Sequence, residues 1–111
     1  GPDAIAIGSD ANETALFTIS LGRGSNATYE AAITIGRQAN SYQTDVMAMG
    51  IIARVSGAQS VANGNATDAT SSGSLAIGNT AQALAGYAIA IGQSAEVNSN
   101  YGINQGLAIS T

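Results

Sequence analysis

The chain has 111 residues, 45% hydrophobic but only 5% aromatic, with seven acids against three arginines, no lysine and a formal charge of −4. That balance excludes a nucleic-acid partner, which needs a basic stripe, and the absence of cysteine and histidine removes the usual zinc sites, thiol nucleophiles and Ser-His-Asp relays. No stretch is long and apolar enough to cross a bilayer as a helix, and no signal-peptide pattern is present.

In chain order, Gly1-Pro2 reads as a scar of tag removal, leaving residues 3–111 as a single repeat domain. Both ends stop in mid-pattern, so the segment reads as an excerpt of a longer chain. Coil one passes through Ile5-Ala6-Ile7-Gly8, coil two through Ile19-Ser20-Leu21-Gly22 and coil three through Ile33-Thr34-Ile35-Gly36. Coil four drifts: Met47-Ala48-Met49-Gly50 is followed by Ile51-Ile52 where the others put polar turn residues, and those isoleucines need a cover. Coil five, Val61-Ala62-Asn63-Gly64, carries an amide in an otherwise apolar column. Coils six and seven, Leu75-Ala76-Ile77-Gly78 and Ile89-Ala90-Ile91-Gly92, are the cleanest copies, and Ile103-Asn104-Gln105-Gly106 reads as a degenerate terminal copy with no insertion before it.

The glycines at 8, 22, 36, 50, 64, 78, 92 and 106 give a period of 14 residues, the mark of a solenoid. Before each glycine the chain alternates large, small, large, which is the period of a strand with two unlike faces. A weaker alternation after it (Ala39; Ala53 and Val55; Ala81 and Ala83) marks a second short strand in every coil. An antiparallel meander would not bring equivalent positions together. Stacked coils do, placing each residue on its copy at a strand spacing of about 4.8 Å, so the expectation is an all-β parallel solenoid with glycine at a sharp bend. The bulky columns are expected to be buried, with Asn63 and Gln105 as polar breaks. The small face of the Ile-Ala-Ile strand is expected to approach a copy of itself, because so thin a coil, poor in large side chains, needs partners.

The unit Ser74-Leu75-Ala76-Ile77-Gly78 through Ala83, repeated from Ala88 to Val97, resembles the head repeat of trimeric autotransporter adhesins, the YadA-like head family. The match runs over about residues 4 to 109. The resemblance implies a left-handed parallel β-roll of 14-residue coils, packed as a homotrimer. It also implies a cell-surface module displayed from the outer membrane of Gram-negative bacteria, which binds host extracellular matrix or a cell-surface protein or glycan. Neck, stalk and membrane anchor lie outside these residues.

Candidate ligand-binding residues are few. Arg23 and Arg37 each follow a column glycine and stack one strand apart, either neutralised by Asp10, Glu30 or Asp45 or forming an anion-binding spot. Tyr29, Tyr42, Tyr87 and Tyr101 are candidate anchors, or caps on the coils. Asn12, Asn26 and Asn65 open accidental Asn-x-Thr triplets, and the scattered acids give no metal ladder or catalytic pair. Catalytic, cofactor and metal residues are expected to be absent, so the chain reads as a binding protein and not an enzyme. The alternative is a structural spacer that holds another binding domain away from the membrane. An ice-binding array is disfavoured because the column Thr14, Thr28, Thr70 is interrupted by Tyr42 and Ser56.

Overall fold

The computed structural model describes residues 3–98 and 106–110, and among these there is no helix. Among the described residues fifteen short strands alternate between two parallel sheets. The first sheet holds β1 (Ile5–Ile7), β3 (Ile19–Leu21), β5 (Ile33–Ile35), β7 (Met47–Met49), β9 (Val61–Asn63), β11 (Leu75–Ile77), β13 (Ala88–Ile91) and β15 (Gly106–Ile109). The second holds β2 (Asn12–Glu13), β4 (Asn26–Ala27), β6 (Asn40–Ser41), β8 (Arg54–Val55), β10 (Asp68–Ala69), β12 (Gln82–Ala83) and β14 (Glu96–Val97). Neighbouring strands from β1 to β14 pair with a shift of 14 residues, as Ile19 with Ile33 and Asp68 with Gln82, so the solenoid expected from the columns is the observed fold.

The glycine column makes the corner between the sheets. From Gly8 to Gly92 these residues have φ between +117° and +140°, a region that L side chains rarely enter. Space forbids a side chain as well, since a Cβ on Gly64 would stand 2.6 Å from the carbonyl oxygen of Gly78 in the next coil.

A second, finer rhythm runs through both turns of each coil. One residue in every seven, from Asp3 to Ser94, has φ between 55° and 67°, and only Gly24 and Gly73 of these are glycine. Phe17, Ile52, Thr80 and Tyr87 hold the left-handed conformation despite their side chains, at a cost of about 1–2 kcal/mol each. Stacked hydrogen bonds offset it: Gln38 N–H donates to Arg23 O at 2.9 Å and Ile52 N–H to Arg37 O at 3.0 Å, continuing the ladder around the bend.

The interior is lined by small side chains. From coil two to coil seven the residues four and two before the glycine, and three and five after it, point inward, and Val55 is the largest that is wholly buried. Coils two and three fill this space with hydroxyls: Ser20 Oγ lies 2.8 Å from Ser25 Oγ, and Thr34 Oγ1 lies 2.7 Å from Ser41 Oγ and donates to Asn26 O at 3.0 Å. Later coils turn more to alanine, as at Ala76, Ala81, Ala83 and Ala90, and keep Ser60, Thr67 and Ser74 as buried hydroxyls. Among the described residues no buried side-chain polar atom lacks a partner.

Three expectations are corrected by this geometry. The bulky columns are not buried: Ile7 is 64% exposed, Ile77 only half-buried, and the whole Ile-x-Ile face looks outward. The small face forms the interior of the roll and is unavailable to a second copy. Asn63 is exposed, so it breaks the apolar column without being a buried amide; Gln105 lies outside the described residues.

The last coil is also corrected. β15 pairs with β13 as Ile89 with Leu107 and Ile91 with Ile109, a shift of 18. The chain therefore carries four extra residues before the eighth strand. Leu107-Ala108-Ile109 is the large-small-large copy, and Ser110 takes the corner position over Gly92. Gly106 matches the sequence period by coincidence and opens the strand instead.

Candidate functional site

The two sheets share an interior but present opposite exteriors. The outer face of the first sheet is a double column of Ile, Leu, Met and Val, exposed at both ends, where Ile5, Leu107 and Ile109 are 50%, 67% and 66% accessible. The outer face of the second sheet carries Asn12, Asn26, Asn40, Arg54, Asp68, Gln82 and Glu96. Asn26 Nδ2 donates to Asn40 Oδ1 at 2.7 Å, and Arg54 Nε to Asp68 Oδ1 at 2.9 Å. The Asp68 hydrogen bond, and then its charge, raise the Arg54 pKa above its ordinary value.

Arg23 and Arg37 come together where the sequence places them, in the turn that follows the column glycine. They line a cleft of about 330 Å³ with Asp10, Gly24 and Gln38. The backbone of this cleft is braced from the second sheet, where Asn26 Nδ2 donates to Gly24 O at 3.4 Å and Asn40 Nδ2 to Gln38 O at 3.0 Å. Among the described residues neither guanidinium has an ion-pair partner. Glu30 and Asp45, named as candidate neutralisers, sit on the other edge of the roll, where Asp45 N–H bonds Glu30 O. Asp10 is in the cleft, but its carboxylate accepts from Ser9 Oγ at 3.3 Å.

The tyrosines do not join this cleft. Tyr29 and Tyr87 belong to the turn that precedes the first-sheet strands, with Tyr29 O accepting from Ala32 N–H and Tyr87 lying across Gly73, and Tyr42 follows β6 near Arg54. All three are exposed; Tyr101 lies outside the described residues. Sequence reasoning missed Ile51 and Ile52 as neighbours of the arginines. They occupy the same turn one coil further on and remain exposed at 42% and 43%. Their column position, one and two after the glycine, was the available signal.

Comparison with known proteins is consistent with this geometry. No family model matches the chain, and no curated protein matches its sequence. Among solved structures, the collagen-binding domain of the Yersinia adhesin YadA aligns with the whole chain and 82% of its own length, at a TM-score of 0.63 and 18% identity. The chain shares that fold.

Proposed function

We propose that this roll is the head module of a trimeric surface adhesin, holding to host extracellular matrix or cell-surface ligands without catalysing a reaction. One observation carries the reading: a parallel roll with the fold of a collagen-binding adhesin domain leaves its bulkiest apolar columns facing outward along its whole length. Apolar surface of that extent, broken only at Asn63 among the described residues, marks a contact between molecules. Three copies packed through these columns cover each other's Ile and Leu side chains, and the polar second sheets and turn edges remain in water. The assembly offers three equivalent long surfaces, and repetition lets weak contacts add through effective concentration. Its place is the exposed surface of a Gram-negative outer membrane.

Light scattering tests the assembly: a mass three times the 10.9 kDa of one chain is expected, and a stable monomer overturns it. Retention on immobilised collagen, fibronectin, laminin and intact epithelial cells tests adhesion. A trimer retained by none of these is a spacer.

A further inference from the structure

We infer that the Arg23–Arg37 cleft is a binding site for an acidic sugar, a saccharide bearing one carboxylate; this gives the adhesive reading a ligand class and rests on that reading. Two arginines occupy equivalent turn positions of adjacent coils, with backbones joined by the Gln38 N–H to Arg23 O bond at 2.9 Å. Like charges held so close repel. The fold has no need of them, since the same position is Ser9, Ile51, Asn65, Asn79 or Gln93 in other coils. Neither guanidinium is neutralised by an ion pair among the described residues, whereas Arg54, the third cation, is tied to Asp68 at 2.9 Å. Two free guanidinium forks on one cleft match a carboxylate, which accepts paired N–H bonds from arginine.

The remaining walls narrow the ligand. Asp10 and Gln38 line the cleft beside the arginines, and their oxygens accept hydrogen bonds from hydroxyl groups. Asp10, with a net charge of −4 on the whole chain, disfavours a polyanionic strand and permits a single acid group among hydroxyls. Ile51 and Ile52, exposed in the next coil, give an apolar ledge for the C–H face of a sugar ring. A volume of about 330 Å³ suits one such residue, at the lower end of small-molecule sites. The two asparagine amides that grip Gly24 O and Gln38 O keep the walls in place without a ligand.

The chain has three arginines and no lysine, so its side-chain Nε–H signals in a nitrogen-15 spectrum form a three-peak assay with a built-in control. Titrating the assembled protein with N-acetylneuraminic acid is expected to move Arg23 and Arg37 and leave Arg54 still. Lactose, a neutral sugar, is expected to move none. R37Q is expected to weaken the response of Arg23 by about tenfold, the loss of one charge-assisted contact, with the Arg54 peak reporting an intact fold. The assignment is overturned if no arginine responds, if all three respond alike, or if inorganic sulfate acts as strongly as the acid sugar. Loss of this response with host surfaces still bound removes the sugar site and leaves adhesion standing. A clean response with no surface bound leaves the site and removes adhesion.

Discussion

The two sheets of this roll are built by the same rules and finished in opposite ways. Both turn small residues inward, such as Ala76 in the first sheet and Ala83 in the second, and both of these stack on a copy 14 residues away. Outside, the first sheet repeats Leu75 and Ile77 where the second repeats Asp68 and Gln82. Stability of the coil is therefore separable from assembly. The alanine interior and the corner glycines hold one chain together, and the apolar exterior acts only when another molecule covers it.

The largest effect is expected where the two sheets meet. Gly78→Ala puts a methyl group 2.5 Å from Gly92 O on a residue at φ +129°. Backbone strain and overlap together are expected to cost about 3–5 kcal/mol, a large part of the stability of a small domain. Thermal denaturation checks it. An unchanged melting temperature would show that the corner can be made without glycine, and the division into two faces would lose its structural basis.

Second in size, and confined to one face, is Ile77→Asp. Within one chain Ile77 is half-buried, so the coil is expected to remain folded, with a β-type circular dichroism spectrum. In the proposed trimer the new carboxylate is buried against apolar neighbours at a cost of about 2–5 kcal/mol, and the scattering mass is expected to fall to that of one chain. Gln82→Asp, the same charge on the second sheet, is expected to leave the mass unchanged. Equal behaviour of the two variants would erase the difference between the exteriors.

How far this was readable from the residues alone depends on how many residue types a position accepts. The corner accepts only glycine from coil one to coil seven, so the period and the bend were legible. The left-handed positions between corners hold Asp10, Phe17, Gln38, Ile52 and Ser94, because stacked backbone hydrogen bonds tolerate any side chain there, and nothing in the composition betrays them. Alternation announced two faces of the Ile-Ala-Ile strand but not which was inside. The clue lay in the other strand: Ala27, Ser41, Ala69 and Ala83 are too small to meet an inward isoleucine across the roll, so the interior had to be narrow. Arg23 and Arg37 were found from column arithmetic, but their lack of an acid partner depended on which edge Glu30 and Asp45 occupy. The last strand was misplaced because four extra residues shift its register while Gly106 preserves the apparent period.

The tolerance of the turns gives a third and smaller effect of opposite sign. Ile52 is β-branched, exposed and held at φ 60°. Asparagine enters that region more readily, so Ile52→Asn is expected to raise stability by about 1 kcal/mol, read as a higher melting temperature. A fall instead would mean that the isoleucine side chain contributes packing that outweighs its backbone strain.

The smallest effect belongs to the polar exterior. Arg54 and Asp68 form a ladder pair across adjacent coils at 2.9 Å, with side chains 55% and 20% exposed. Water and salt screen such a pair, and exposed ion pairs contribute about 0–1 kcal/mol. Asp68→Asn keeps the shape and one acceptor oxygen and removes the charge. It is expected to lower stability by no more than about 0.5 kcal/mol, with a difference from the parent chain that shrinks as salt rises, and to leave assembly untouched. Denaturant unfolding at low and high salt measures both. A loss of several kcal/mol, or a loss of trimer, would mean that the second sheet is covered in the assembly as the first is, and the two exteriors would no longer be opposites.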